Sequence, residues 1–404
     1  MALTEELIRS LPKVALHDHL DGGLRAATVL ELSREHGLLS PGAFEFDADD
    51  AVQDTSIEPV TDSSPTSEQV ATWFHTAADS GSLPAYLSTF DRTLAVMQTA
   101  PDLRRIAREF VADMVADGVV YAETRWAPHQ HTEAGLSLDE AVQAVQDGLD
   151  EGVAAAQAAG KRIVVGQLLC YLRHLEPTDD LVEIATARQG SGVVGIDLAG
   201  PEAGFPASRF RSQFARAREL GVRVTIHAGE ADGPASIADA LDCGAERIGH
   251  GVRIIEDIAH HESTASHEDP AEQGRAGGEP SFGPVAARVH AQQICLEVCP
   301  SSNLQTGAAA TMAEHPVGPL HAAGFSVALS SDNRLMSRTS TTREMHRAAE
   351  AFGWTLADLE QITLTGLEAG FADSAARSAL RDDVVLPAFA DALGRAAQHQ
   401  AAQQ

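Results

Sequence analysis

Two histidines near the start of the chain, His17 and His19, are the first residues whose type and spacing suggest chemistry. They lie two positions apart in VALHDHLDG, an apolar run typical of a β-strand. Side chains two positions apart on a strand point to the same face, so both imidazoles can reach one metal ion. An isolated pair of this kind is more often structural than metal-binding. The motif alone therefore leaves both interpretations open.

Further polar residues follow later apolar runs. His227 and Glu230 end VTIHAGE, His250 ends RIGH, and Asp332 follows SVALSS. Each alone could be an ordinary polar residue at a strand end. Together they favour a catalytic zinc site, because zinc binds imidazole and carboxylate groups and a catalytic site keeps one position for water. The set predicts one Zn²⁺ per chain, with the ligands His17, His19, His227 and Asp332.

The same residues predict how the site would work. A single zinc ion lowers the pKa of bound water to about 7. Glu230, three residues after a predicted ligand, is then expected to act as general acid and base, and His250 to orient the nucleophile or stabilise developing charge. A second metal bridged by a carbamylated lysine after the fourth strand is not expected, because the only lysines, Lys13 and Lys161, lie elsewhere. This chemistry suits hydrolysis at a trigonal carbon.

Eight short apolar runs, alternating with Ala-rich helical patterns, must position these residues. They begin at Val14, Val119, Arg162, Val193, Arg223, Arg247, Ile294 and Ser326. The alternation predicts the α/β class, and eight strands favour a parallel (β/α)8 TIM barrel. Polar residues follow the carboxyl ends of the runs, which is where barrels of this kind carry active sites. A doubly wound sheet is disfavoured because no Gly-rich phosphate turn follows the first run.

We expect residues 1–404 to form a single catalytic domain with three irregular segments. Residues 44–66 are rich in Asp, Ser, Thr and Pro and are predicted to form a loop. Residues 260–284 are predicted to be a flexible insertion between barrel strands six and seven. The insertion contains three histidines, but its composition favours a solvated loop over a metal site. Residues 394–404 are predicted to be a frayed helix or a disordered tail.

The composition limits the function. The net charge of −29 argues against binding to nucleic acid or to anionic membranes, since both require clustered Lys and Arg. The four cysteines include no C-x2-C pair, which disfavours a cysteine-based zinc site and fits buried thiols in a reducing compartment. No signal peptide or run of about 18 apolar residues occurs. A cytoplasmic location is therefore expected, while the oligomeric state stays unknown.

The motifs HDHLDG, DLAGPE, HAGE, RIGHGV, CPSSN and SSDN follow one another over most of the chain. In this order and spacing the chain resembles the adenosine deaminase family. The resemblance implies the zinc ligands given above, proton donation from Glu230 to purine N1, and assistance by His250 to attack at C6. It implies hydrolysis of adenosine and 2′-deoxyadenosine to the inosines and ammonia. The expected partner is a small-molecule purine nucleoside.

The resemblance also implies which residues contact the substrate. Asp21 would meet the ribose, the backbone at Gly200 the N3 edge, and Asn333 purine N7. Many relatives carry Asp in place of Asn333, but N7 only accepts hydrogen bonds and an amide donates at any pH. A helical lid is implied after strand one over GSLPAYLSTFDRTLAVM, although core packing explains its apolar pattern equally well. The predicted contacts are His19, Asp21, Gly200, Asn333, Leu83, Tyr86, Leu87 and Phe90.

Three alternatives stay open. The substrate could be another adenine compound, such as adenine, a 5′-modified adenosine or an aminodeoxyfutalosine-like nucleoside. The chain could be a catalytically silent barrel that binds nucleosides or a partner protein. It could also hydrolyse amides or phosphotriesters, although such barrels usually need a second metal. Deaminases of single-stranded nucleic acid are disfavoured, because they carry H-x-E with P-C-x-x-C, whereas the predicted site here has the spacing H-A-G-E and the chain has no such cysteine pair.

Overall fold

The computed structural model describes residues 3–39, 44, 65–260 and 280–401. Within these ranges the strands are β1 (Lys13–His19), β2 (Val119–Trp126), β3 (Val164–Leu172), β4 (Val193–Ala199), β5 (Thr225–Ala228), β6 (Arg247–His250), β7 (Ile258–His260), β8 (Pro280–Phe282), β9 (Cys295–Val298) and β10 (Val327–Leu329). The helices of the first half are α1 (Glu5–Ser10), α2 (Ala26–Glu35), α3 (Ser67–Ala78), α4 (Leu83–Leu87), α5 (Phe90–Ala95), α6 (Ala100–Ala116), α7 (Leu138–Ala158) and α8 (Asp180–Ala187). The later helices are α9 (Arg211–Glu219), α10 (Pro234–Asp242), α11 (Pro284–Gln292), α12 (Pro300–Gln305), α13 (Val317–Ala322), α14 (Arg334–Ser337), α15 (Thr341–Phe352), α16 (Leu356–Ala369), α17 (Ser374–Leu380) and α18 (Leu386–Ala401).

Eight of these strands form a closed parallel barrel. Strands β1 to β4 pair in sequence order, and β5, β6, β9 and β10 form a second parallel sheet. Parallel bridges from Ile196 to Val224 and from Asp18 to Asp332 join the two sheets at both edges. The eight barrel strands coincide with the eight runs expected from the sequence. The predicted fold class is confirmed.

The sequence forms this barrel because its strands are buried on both faces. Every residue of β1 is buried, as are all residues of β6, β9 and β10. Strands covered by helices outside and by side chains inside are expected to be nearly continuous apolar runs. Polar residues within such strands must then find partners inside the barrel, and this requirement shapes the site described below.

Helices α3 to α5 lie between β1 and β2 and include the predicted lid segment. Pro84 occupies the first turn of α4, where its missing N–H is tolerated. Tyr86 on α4 is buried, and its ring lies 6.4 Å from that of Phe90 on α5. The segment is therefore helical, as expected, and carries aromatic side chains toward the protein interior.

The irregular segments fall mostly outside the described residues. This is true of residues 45–64 of the predicted loop at 44–66 and of residues 261–279 of the predicted insertion at 260–284. At the base of the insertion β7 and β8 pair antiparallel. Within the predicted tail at 394–404, α18 continues to Ala401, and Ala396 packs against the core. Residues 402–404 lie outside the described ranges.

Two further findings bear on the sequence analysis. No helix in the described ranges is long and apolar enough to cross a membrane. Lys13 is buried at the start of β1, at the opposite end of the strand from the histidines, and Lys161 is exposed between α7 and β3. Neither lysine lies near the carboxyl end of β4, where a bridging lysine would be needed.

Candidate active site

The carboxyl ends of β1 and β10 are joined by backbone hydrogen bonds. The N–H of His19 donates to the carbonyl oxygen of Asp332 over 2.8 Å, and the N–H of Asp332 donates to that of His17 over 2.9 Å. Residues more than 300 positions apart in sequence are thereby fixed side by side. All three side chains are buried.

The four predicted zinc ligands converge at this end of the barrel. Nε2 of His19 lies 3.2 Å from Nε2 of His227 and 3.4 Å from Oδ1 of Asp332. Nε2 of His17 lies 3.4 Å from the same Asp332 oxygen. Ligand atoms bound about 2.1 Å from a tetrahedral zinc ion are about 3.4 Å apart, so these separations fit such an ion. The residues present therefore fit a metal of this kind.

Unpaired polar atoms support the same conclusion. Nε2 of His17 and Oδ1 of Asp332 are buried and have no hydrogen-bond partner among the described residues. Burying such atoms without a partner is unfavourable, and a bound cation would satisfy both. Burial also lowers the pKa of His19 to about 3, which keeps its imidazole neutral and able to coordinate a metal. A second possible metal-binding group consists of His17, His227 and His250, and it shares His17 and His227 with the four predicted ligands.

Two carboxylates below the site orient the predicted ligands. Glu297 on β9 accepts from Nδ1 of His17 over 3.0 Å, and Asp197 on β4 accepts from Nδ1 of His227 over 3.1 Å. With the proton held on Nδ1, each ring directs the lone pair of Nε2 toward the centre. The buried guanidinium of Arg125 pairs with both carboxylates, over 2.6 Å to Glu297 and 2.8 Å to Asp197.

Glu230 and His250 lie beside the predicted ligands. The carboxylate of Glu230 accepts from the Thr306 hydroxyl over 3.0 Å and lies 3.5 Å from Nε2 of His250. Burial, together with the negative charges of Asp332 and Glu202, raises the pKa of Glu230 well above its usual value. A carboxyl group that stays protonated near neutral pH is suited to donate a proton to a substrate.

Glu202 organises the turn that carries Glu230. Its buried carboxylate accepts from four successive backbone N–H groups, those of residues 229, 230, 231 and 232, over 2.6–3.1 Å. A carboxylate that satisfies four backbone donors fixes the path of the turn after β5. The backbone of Glu230 is therefore held by a residue from the loop after β4.

Two residues at this end of the barrel adopt a backbone conformation that side chains disfavour. His250 has a φ of 60° and Asp332 a φ of 59°, both in the left-handed region. Non-glycine residues in this region are uncommon and concentrate at functional sites. Both residues lie at the carboxyl end of a barrel strand and line the cavity described below.

A cavity opens above these residues, and every predicted substrate contact lines it: His19, Asp21, Gly200, Asn333, Leu83, Tyr86, Leu87 and Phe90. Oδ1 of Asp21 is buried without a hydrogen-bond partner among the described residues. Asn333 packs against Gly22 so closely that a Cβ at position 22 would lie 1.7 Å from its Oδ1. A side chain at position 22 would therefore displace Asn333 from the cavity wall.

Comparison with known proteins identifies the family. The sequence model described as "Adenosine deaminase" matches residues 12–387. The chain is 45% identical to "Adenosine deaminase 1" of Streptomyces coelicolor over 95% of this chain and 88% of that protein. It is 44% identical to "Adenosine deaminase" of Mycobacterium leprae over 96% of this chain and 98% of that protein. The chain belongs to the adenosine deaminase family. The resemblance expected from the sequence motifs is confirmed.

Solved structures share the fold of this adenosine deaminase family member. Adenine deaminase from Arthrobacter aurescens superposes with a TM-score of 0.72 at 23% identity, covering 95% of this chain and 99% of that one. An amidohydrolase from Burkholderia ambifaria with bound Zn gives a TM-score of 0.75 at 22% identity, covering 98% and 96%. Arabidopsis ADAL complexed with GMP gives 0.72 at 24% identity, covering 96% and 98%.

The sequence analysis missed several residues around the site: Asp197, Glu202, Glu297, Asn303 and Thr306. Asp197 and Glu202 lie in the DLAGPE motif, of which only Gly200 was assigned a contact, and Asn303 lies in CPSSN, for which no contact was predicted. Glu297 interrupts the apolar run ICLEV, and a charged residue in a strand buried on both faces needs a partner inside the barrel. That signal was available in the sequence.

Proposed function

We propose that this protein is a zinc-dependent adenosine deaminase that converts adenosine and 2′-deoxyadenosine to inosine and 2′-deoxyinosine with release of ammonia. The observation that carries the proposal is the convergence of His17, His19, His227 and Asp332 at separations suited to one tetrahedral ion. When bound, a zinc ion at this position would lower the pKa of a water molecule to about 7 and so supply a nucleophile for C6 of the purine.

The chain's own residues supply the proton transfers. The carboxyl group of Glu230, protonated because of its burial, donates to purine N1 as the nucleophile adds to C6. Burial and the neighbouring His17 hold the pKa of His250 well below its usual value, so its neutral ring donates one hydrogen bond to the nucleophile. The resulting carboxylate of Glu230 takes the proton of the hydroxyl group added to C6 and passes it to the amino group, so that ammonia leaves as C6 becomes a carbonyl.

The cavity favours a nucleoside over a nucleotide. None of the described residues that line it is Lys or Arg, whereas Asp21 and Glu202 contribute carboxylates. A phosphate would meet like charge here without a compensating cation. The unpaired Oδ1 of Asp21 can instead accept a hydrogen bond from a ribose hydroxyl. In the orientation of Asn333 described above, the amide nitrogen is left to donate to purine N7.

The test is metal analysis and a substrate panel on one purified sample. We expect about one zinc per chain and release of ammonia from adenosine and 2′-deoxyadenosine. Adenine, 5′-modified adenosines and AMP should be converted much more slowly. Zinc binding without ammonia release from adenosine, but with turnover of another panel member, would move the assignment to that substrate. A sample that bound no zinc and deaminated nothing would overturn the proposal.

Glu230→Gln separates catalysis from folding and metal binding. Glutamine keeps the size of the side chain but cannot shuttle protons, so turnover should be abolished while the zinc content stays at about one per chain. Glu219→Gln, on the exposed end of α9, is the matched control and should retain activity. Full activity of Glu230→Gln would contradict the proton-transfer role. The predicted cytoplasmic location and the oligomeric state need separate measurements.

A further inference from the structure

We propose that Asn303 and His315 are positioning residues that hold His250 in the tautomer with its proton on Nε2. The inference rests on the proposed function, in which His250 donates from Nε2 to the nucleophile. Neither residue forms a side-chain hydrogen bond with a predicted zinc ligand among the described residues. Both are fully buried, Asn303 on α12 and His315 two residues before α13.

The chain of hydrogen bonds begins at a backbone N–H group, which can act only as a donor. The backbone N–H of Val317 points to Nδ1 of His315 over 3.1 Å. A backbone N–H can only donate, so Nδ1 of His315 must accept. Burial lowers the pKa of His315 to about 4, so the ring is neutral near pH 7. Its single proton is therefore on Nε2.

The next link fixes the orientation of an amide. Nε2 of His315 lies 3.2 Å from Oδ1 of Asn303 and donates to it. The Asn303 nitrogen then lies 3.1 Å from Nδ1 of His250 and 3.5 Å from Oε1 of Glu230. Rotating the amide by half a turn would place its NH₂ group against the N–H of His315, so that two donors would face each other. The observed orientation is the one that satisfies every partner.

The last link sets the proton on His250. Because the amide of Asn303 donates, Nδ1 of His250 accepts and the ring proton is on Nε2. That nitrogen lies 3.5 Å from Oε2 of Glu230, and His250 lines the cavity. One backbone N–H on α13 thus determines which atom of His250 can donate toward the reaction centre. Groups that orient a catalytic imidazole from behind commonly affect activity about 10- to 100-fold.

The test uses the zinc-loaded enzyme labelled with ¹⁵N-histidine. Long-range ¹H–¹⁵N correlation spectra report the tautomer of each histidine, and the signals absent from His250→Phe assign those of His250. We expect the Nε2–H tautomer in the unmodified enzyme. In Asn303→Leu, which keeps the volume but removes the donor, we expect a tautomer mixture, kcat about 10- to 100-fold lower, and unchanged KM and zinc content.

Two variants at His315 form a matched pair. His315→Gln keeps an amide donor near the position of Nε2, and His315→Leu removes it. The first should preserve the Nε2–H tautomer and most of kcat, whereas the second should resemble Asn303→Leu. An Nδ1–H tautomer in the unmodified enzyme would overturn the proposal, as would equal loss of kcat in both His315 variants without a tautomer change.

The experiment separates this proposal from the proposed function. If the enzyme failed to deaminate adenosine but showed the expected tautomers in all variants, the positioning chain would stand and the substrate assignment would fall. If adenosine were deaminated at the same rate by Asn303→Leu with an unchanged tautomer, the reverse would hold. If one variant fails to fold, the others still test the proposal, since the substitutions lie at two separate positions.

Discussion

Two layers of buried charged and polar side chains lie inside the same barrel, and they differ in whether all their polar atoms have hydrogen-bond partners. In the inner layer Glu123 and Glu297 accept from Arg247, and each of their four carboxylate oxygens has a partner within 3.0 Å. In the layer at the carboxyl ends of the strands, His17 and Asp332 keep buried polar atoms without one. Breaking a buried ion pair strongly destabilises a protein, whereas a convergent set of unpaired atoms prepares a binding site. The inner layer therefore serves folding, with Glu297 also orienting His17, and the outer layer serves chemistry.

The largest expected effect tests the outer layer. Asp332→Ala removes a predicted ligand that approaches two histidines, so we expect loss of bound zinc and an activity at least about a thousandfold lower. The free energy of unfolding of the metal-free protein should fall far less than in the inner-layer variant below. Metal analysis, kinetics and urea unfolding measure the three quantities. Full zinc content with normal turnover would remove Asp332 from the predicted ligand set.

The inner layer should respond in the opposite way. Glu123→Gln leaves Arg247 partly uncompensated, and we expect the free energy of unfolding to drop by about 3–5 kcal/mol. The folded fraction should keep its zinc and most of its activity, because Glu123 contacts neither the cavity nor the predicted ligands. Asp383→Asn, which breaks an exposed ion pair with Arg162, is the control and should change little. If Glu123→Gln lost activity as strongly as stability, the inner layer could not be assigned to folding alone.

The buried ammonium group of Lys13 belongs to neither layer, and its effect on stability should depend on pH. Lys13 donates to the backbone carbonyls of Ile8 and Leu11 and forms no ion pair within the described ranges. Burial lowers its pKa from 10.5 to about 8, so between these values the unfolded chain binds more protons than the folded one. Stability should therefore rise as pH increases from about 8 to 10.5, by about 3 kcal/mol at 1.36 kcal/mol per pKa unit.

The comparison for this prediction is Lys13→Met, measured by urea unfolding across the same pH range. This variant should lack the additional rise, while the slope caused by other groups should remain. An identical pH dependence in both proteins would show that Lys13 does not change its protonation on unfolding in this window. The hydrogen bonds from Lys13 to backbone carbonyls would then offset the effect of burial on its pKa.

The smallest expected effect is on a residue that belongs to both layers. Glu202 stabilises a turn, as an inner-layer carboxylate does, but that turn carries Glu230. In Glu202→Gln the amide nitrogen cannot accept from the backbone N–H groups, so we expect kcat to fall about tenfold with little change in KM or zinc content. Steady-state kinetics test this, with Glu219→Gln again as the control. A change in KM alone would argue for direct contact with substrate.

Residue type and position along a strand were enough to predict the outer layer. His17, His227 and Asp332 are recognisable because they follow apolar runs, and a closed barrel brings all such ends together. The eight strands followed from the same periodicity. Asn303 and His315 could not be predicted, because their roles depend on one amide orientation and one backbone N–H that only the tertiary structure defines.

The ends of the chain show a second limit. The segment 394–401 is rich in Ala and Gln, a composition that left a frayed helix and disorder equally open, and in the structure it continues α18. Its helix is stabilised by packing on the core, which composition alone does not reveal. Glu297 is the contrasting case, since its isolated charge within an apolar strand was visible in the sequence and was not used.

The left-handed backbone at His250 and Asp332 has a consequence for efforts to make this protein more heat-tolerant. Glycine adopts that conformation without the steric cost of about 1–2 kcal/mol that a Cβ incurs. A glycine at either position should therefore relieve backbone strain while removing a side chain that the proposed site needs, so selection for thermal stability alone does not preserve the site. Screens of this kind need an activity step at every round, since the two properties oppose each other at these codons.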